Sequence, residues 1–147
     1  MNAQELIKAS GSLRVVVTGA DGKVKDEREF KNLVVTVGKN YVASRMVGTS
    51  ANVMSHMAIG SSSTPAAAGD TALGAELGRV ALAGSSASAN VVTYTATFPA
   101  GTGTGAVVEA GILNAASVGT LLCRTVFAVV NKGADDAMSV TWTVTIS

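Results

Sequence analysis

Charge is scarce in this sequence of 147 residues. Lys, Arg, Asp and Glu together make up 14% of it, against roughly 25% in an average soluble domain. The 11 basic and 10 acidic residues leave a net charge of +1, so no bulk attraction to nucleic acid or to an anionic membrane follows. With 48% hydrophobic residues, the chain does not have a disordered composition. Its uncharged surface suits burial against partners. Cysteine is nearly absent, and Cys123 alone excludes an intrachain disulfide framework and a cysteine-based zinc site. His56 is the single histidine, which excludes multi-histidine metal sites and leaves one imidazole as a candidate base. Aromatic residues make up 4%, few for stacking on sugars. Apolar runs are short, and none approaches the roughly 18 residues of a membrane span. Glu5 and Lys8 interrupt the first apolar stretch, which therefore does not read as a signal peptide. No Asn-x-Ser/Thr acceptor occurs. The expectation is a chain made in the cytosol, with neither membrane nor nucleic acid as a direct partner.

What is present is mostly β pattern. The length fits one domain with a real core. Residues 1–12 read as an N-terminal arm, with Asn2 capping a brief helix through Leu6 and Ile7 that Gly11 and Ser12 end. Residues 13–147 read as a single domain. Leu13 to Thr18 is β-branched and strand-like. Asp21-Gly22 suits a type I′ hairpin turn, with Val24 to Phe30 returning as a charged edge. Asn32 to Val47 carries Val37, Tyr41, Val42 and Met46 at helical spacing, with Asn32 as the cap and Gly48 as the stop. In a second reading of the same residues, Val34 and Val35 extend the strand before it. Val53 to Ile59 returns to strand. A Ser/Thr/Pro/Ala loop follows, and Asp70 is placed to cap a helical turn through Leu77, with Glu76 and Arg79 as an ion pair.

Five strands are expected beyond it: Arg79 to Ala83, Val91 to Phe98, Ala106 to Leu113, Thr120 to Val130 and Met138 to Ile146. Val140, Trp142, Val144 and Ile146 alternate with threonines, the period of a half-buried strand. Short strands with polar turns between them predict a mainly β fold: an antiparallel β-sandwich, jelly-roll or immunoglobulin-like, with one inserted helix.

Residues able to carry chemistry are few. His56 would need serine and carboxylate partners to form a triad, and no Gly-x-Ser-x-Gly elbow occurs. Cys123, beside Leu122, reads as a core thiol, with Arg124 directed to the opposite face of the strand. The glycine-rich loop 101–105 leads into a strand and lacks the Walker lysine, so it does not read as a phosphate loop. Asp135 and Asp136 lack the spacing of a calcium loop. Glu109 lies in an apolar strand and, if buried, needs a partner such as Arg79 or Arg124. No catalytic, cofactor or metal site is expected.

Four stretches together resemble a known group. They are Asn32 to Lys39 ahead of a helix; Met57 to Gly60 with Gly69 to Arg79; Glu109 to Asn114; and Lys132 to Asp136 before the tryptophan strand. This ordered set, over residues 13–147, resembles small structural proteins of tailed bacteriophages, the capsid-decorating or tail-fibre-like modules. The resemblance implies a virion protein, assembled in the host cytoplasm, with the major capsid protein or other virion proteins as partners and a homo-oligomeric state. A capsid decoration or cement protein is the first expectation, and a tail, collar or fibre component the alternative. The arm and the charged hairpin are the candidate contacts, in particular Leu6, Ile7, Lys8, Lys25, Glu27, Arg28 and Glu29.

Overall fold

The computed structural model describes residues 6–49 and 51–147. Asn2, the expected cap, lies outside the described residues. Nine strands and one helix follow in the order β1 (Ala9–Thr18), β2 (Val24–Val34), α1 (Thr36–Arg45), β3 (His56–Gly60), β4 (Glu76–Ala81), β5 (Gly84–Ser88), β6 (Val91–Phe98), β7 (Gly105–Leu113), β8 (Leu121–Lys132) and β9 (Ala137–Ile146). All strand pairs are antiparallel. The strand order is β4-β3-β7-β8-β2-β1-β9-β6-β5. The fold is thus mainly β, as the alternation predicts, and the sheet curls into a half-barrel. β2 joins its two halves through two residue pairs only, Leu33 with Arg124 and Val34 with Cys123. Beyond that point the ladder stops and side chains bridge the two strands: Thr125 Oγ1 donates to the Lys31 carbonyl at 2.7 Å, and Phe30 stacks on Phe127 with ring centroids 4.4 Å apart.

One core fills the concave side. Leu13, Val15 and Val17 of β1, Met138, Val140, Trp142 and Val144 of β9, and Ala96 and Phe98 of β6 enter it from one half. Met57, Ile59, Ala110, Ile112 and Cys123 enter it from the other. Trp142 is fully buried near the centre. Burial raises the pKa of the Cys123 thiol well above its ordinary value, so it stays neutral. A second, smaller cluster of Val35, Ala58, Leu113 and Leu121 lies elsewhere, with Val37 and Leu73 packed against it.

Several local expectations are corrected. β1 begins at Ala9, so residues 9–12 are strand. Lys8 and Ser147 exchange both backbone hydrogen bonds at 2.7 and 2.8 Å. Leu6 and Ile7 are not helical. Of the two central turn residues Asp21 and Gly22, only Gly22 has positive φ, at 79°, so the turn is not type I′. Gly22 N–H closes on the Gly19 carbonyl at 3.0 Å, and Gly19 N–H on the Lys23 carbonyl at 2.9 Å. This is a three-residue loop with a left-handed glycine. Asn32 lies within β2, paired with Gly11, and the helix starts at Thr36 after Val35.

The helix turns a different face inward than its apolar spacing suggests. A Cβ on Gly38 would collide with the Leu122 carbonyl. This close approach of helix to β8 turns Val37, Gly38 and Tyr41 inward. Val42 and Met46 point out, 36% and 80% exposed. The stretch from Asp70 to Ala75 forms no helix, because its backbone is held by a side chain from the sheet.

Candidate functional site

Glu109 organises one half of the molecule. Val107 faces the core, as do Ala110 and Ile112. Regular alternation would put Glu109 on the same face as Val107. The register of β7 against β8 shifts between Val107 and Glu109, and such a bulge re-aims the residues after it. Glu109 is thereby turned to the outer face of the sheet, where it is fully buried under the segment 61–75. Its Oε1 accepts from Arg124 Nε at 3.0 Å and from Gly74 N–H at 2.8 Å. Its Oε2 accepts from Ser62 N–H at 2.9 Å and Ala75 N–H at 2.8 Å.

Arg124, 2% exposed, is just as fully engaged. It donates also to Asp70 Oδ2 and to the Thr64 carbonyl, at 2.9 and 3.0 Å. Asp70 in turn accepts from Ala67 N–H at 2.9 Å. Of the two partners the sequence allows for Glu109, the structure uses Arg124. Arg79 grips a different loop. It pairs with Glu76, as expected, and donates to the carbonyls of Ala115 and Val118, both at 2.9 Å.

This cluster brings together stretches far apart in the chain. Gly60 pairs with Glu109 across β3 and β7, and a Cβ there would come within 2.5 Å of both Glu109 Oε2 and the Ala75 carbonyl. Met57 to Gly60, Gly69 to Arg79 and Glu109 to Asn114 are therefore neighbours around one carboxylate. Every polar atom of the Glu109–Arg124 pair that the sequence singles out is engaged within the fold. The arrangement locks a cover onto a sheet.

The other candidates are likewise engaged. His56 Nδ1 lies 2.8 Å from Ser55 Oγ, its own neighbour in sequence. Asp136 accepts Lys25 Nζ at 3.0 Å and Gly133 N–H at 2.8 Å. Those bonds, the backbone one foremost, hold its pKa below the ordinary carboxylate value. Lys132 is buried and donates to the Pro99 carbonyl at 2.9 Å, and burial lowers its pKa. Among the described residues, no group of three or more His, Cys, Asp or Glu side chains is placed to hold a metal ion. No described helix is long and apolar enough to cross a membrane.

The expected contact residues fall in two separate places. Leu6 and Ile7 are 70% and 81% exposed, just ahead of β1. Ile7, Lys8, Ala9, Lys39, Val42 and Ile146 line a cleft there of about 520 Å³. Met46, four residues beyond Val42, continues the same helix face. Lys25, Glu27, Arg28 and Glu29 lie on β2 toward the hairpin, up to about 30 Å away along a ten-residue strand. There Glu27 pairs with Arg14, and Arg28 with Asp26 at 2.9 Å. Arg28 holds the Asp26 carboxyl below its ordinary pKa. The charges of the hairpin are thus largely satisfied internally, while the apolar residues near α1 are not.

Sequence reasoning does not find the strained loop at 114–120. Val118 has φ of 58°, an outlier for a β-branched residue, and its side chain is 82% exposed. No protein-family model matches the chain, and no curated protein or solved structure is significantly similar to it.

Proposed function

We propose that this chain is a structural protein of a tailed-bacteriophage virion, a decoration or cement protein that binds between capsid subunits. The observation that carries the binding part of this reading is the exposed apolar surface at the α1 end. Leu6, Ile7, Val42, Met46 and Val47 are all exposed, and Ile7 and Val42 line one cleft together with Ile146. Contiguous apolar surface of this kind marks interaction sites in soluble proteins. The virion part of the reading rests on the four sequence stretches, which resemble phage structural modules. Bound at many equivalent positions of a shell, such a surface adds stabilisation by repetition, each contact remaining weak.

The alternative is a tail, collar or fibre component. For receptor contact it would use the loops at 61–69 and 102–105. The structure ties both into the fold: Ser62 and Thr64 to the ion cluster, and Gly103 against Ile59. That favours the decoration reading.

The test is the copy number of this chain in purified virions of the phage that encodes it, by quantitative mass spectrometry against the major capsid protein. Copies on the scale of the capsid protein support decoration. A handful per particle would move the chain to the tail or collar. Absence from the particle would overturn the virion reading.

A further inference from the structure

The two edges of the nine-stranded sheet are treated differently. At β4, where Gly78, Arg79 and Val80 are half-buried, Gly78 packs so closely on Gly103 that a Cβ would come within 2.8 Å of its nitrogen. Glu76 and Arg79 add an ion pair. At β5 all five residues, Gly84 to Ser88, are exposed. Among the described residues β5 pairs with β6 on one side and with no strand on the other. Exposed edges are normally defended by charge, proline or a bulge. This one has none of these. Every residue between Arg79 and Glu109 is uncharged, and β5 pairs with β6 in unbroken register over all five residues.

We infer that β5 is a pairing edge for β5 of a second copy, antiparallel about a two-fold axis near Ser86. Three features favour a second copy as the occupant. Paired about Ser86, Ser85 meets Ala87 and Gly84 meets Ser88, so small residues face small residues on both sides. No like charges oppose, since the strand and its hairpin partner carry none. The outer face also continues in kind. Thr143, Thr93 and Ser86 lie side by side on β9, β6 and β5. The chain already joins strands of this face by hydroxyl contact, Ser12 to Thr143 and Thr97 to Ser139, each at 3.2 Å. Such cross-strand pairs stabilise a sheet, and a two-fold operator extends the row with the same residues. A charged peptide finds no counter-charge here.

A five-residue ladder of small side chains is less than a standard interface of about 1,200–2,000 Å², so the dimer is weak and concentration-dependent. The inference concerns the isolated chain. It stands or falls independently of where the protein sits on a virion.

The experiment is sedimentation velocity of the full chain over roughly 5 to 500 µM, wild type against Ser86→Lys. The inference expects wild-type mass to rise from 14.7 kDa toward twice that value. It expects Ser86→Lys to weaken association at least about tenfold. Ser86→Cys supplies the second reading under mild oxidation. Cys123 is buried and inert, so the new thiol alone forms an intermolecular disulfide, and a Thr141→Cys control on the same face does not. A wild type monomeric throughout, or association untouched by Ser86→Lys, overturns the inference. Should Ser86→Lys fail to fold, by circular dichroism, the cysteine pair decides: no selective crosslink at position 86 sinks the idea.

Discussion

The half of the sheet made by β1, β2, β6 and β9 has one dry face and one wet face. In the other half, β3, the Glu109–Leu113 stretch of β7 and the Leu121–Thr125 stretch of β8 are covered on both. β9 shows the first arrangement. Met138, Val140, Trp142 and Val144 are buried, whereas Ser139 and Thr141 between them are exposed. β7 shows the second, with Glu109 to Leu113 buried without a break. The wet half is held by the core alone. The covered half must also hold its cover, the segment 61–75, which has no regular structure of its own. Glu109 and Arg124 do most of that, by accepting from and donating to its backbone, with Leu73 packed on the smaller apolar cluster and Thr36 N–H bonded to the Ala68 carbonyl.

Breaking the lock should have the largest effect. Arg124→Met leaves Glu109 buried without its counter-charge and should cost about 3–5 kcal/mol, measured by urea unfolding. In the wet half the comparable loss is Trp142→Ala, which removes the largest core side chain and should cost about 3–5 kcal/mol. The two variants differ in kind. The first should free the cover while β9 stays protected; the second should weaken both halves together. Gly38→Ala forces the helix off the Leu122 carbonyl and should cost about 1–3 kcal/mol.

Alkaline pH sharpens the comparison through the shared core. Burial pushes the Tyr94 hydroxyl up to about 12 and raises the Cys123 thiol. Both groups stay protonated in the folded chain at a pH where the unfolded chain ionises them. Their contribution is complete below the unfolded pKa values, about 8.5 for Cys and 10 for Tyr, and is lost as pH rises above these. Thermal melts should show stability falling from about pH 9 upward, and Tyr94→Phe should flatten the part above pH 10. Lys132, whose pKa is lowered by burial, acts oppositely at lower alkaline pH, stability rising until its unfolded value is passed. The smallest effect is expected on the wet face, where Thr141→Val should change stability by no more than about 0.5 kcal/mol.

The wet half was legible in the sequence because its faces differ. Threonines alternate with Val140, Trp142 and Val144, and period two follows directly. β5 was missed, since Gly-Ser-Ser-Ala-Ser has no apolar alternation and is strand only by pairing with β6. The covered half was legible in part. Glu109 in an apolar strand announced a buried charge and named Arg124 among its partners. Asp70 has the sequence signature of a helix cap, because a capping residue and a bridging carboxylate look alike in sequence. The bulge at Val108, which decides the face of Glu109, has no local signature. The inward face of α1 is not legible in the apolar pattern, because Gly38, an apparent gap in it, sets the contact by close approach.

The most direct test of this account is amide hydrogen exchange at Ser62, Gly74 and Ala75, the three backbone donors to Glu109. The account predicts protection comparable to that of β7 amides, although these residues lie outside any strand or helix, and its selective loss in Glu109→Gln with β9 unaffected. Rapid exchange at all three in the wild-type chain would contradict the claim that this carboxylate holds the cover in place.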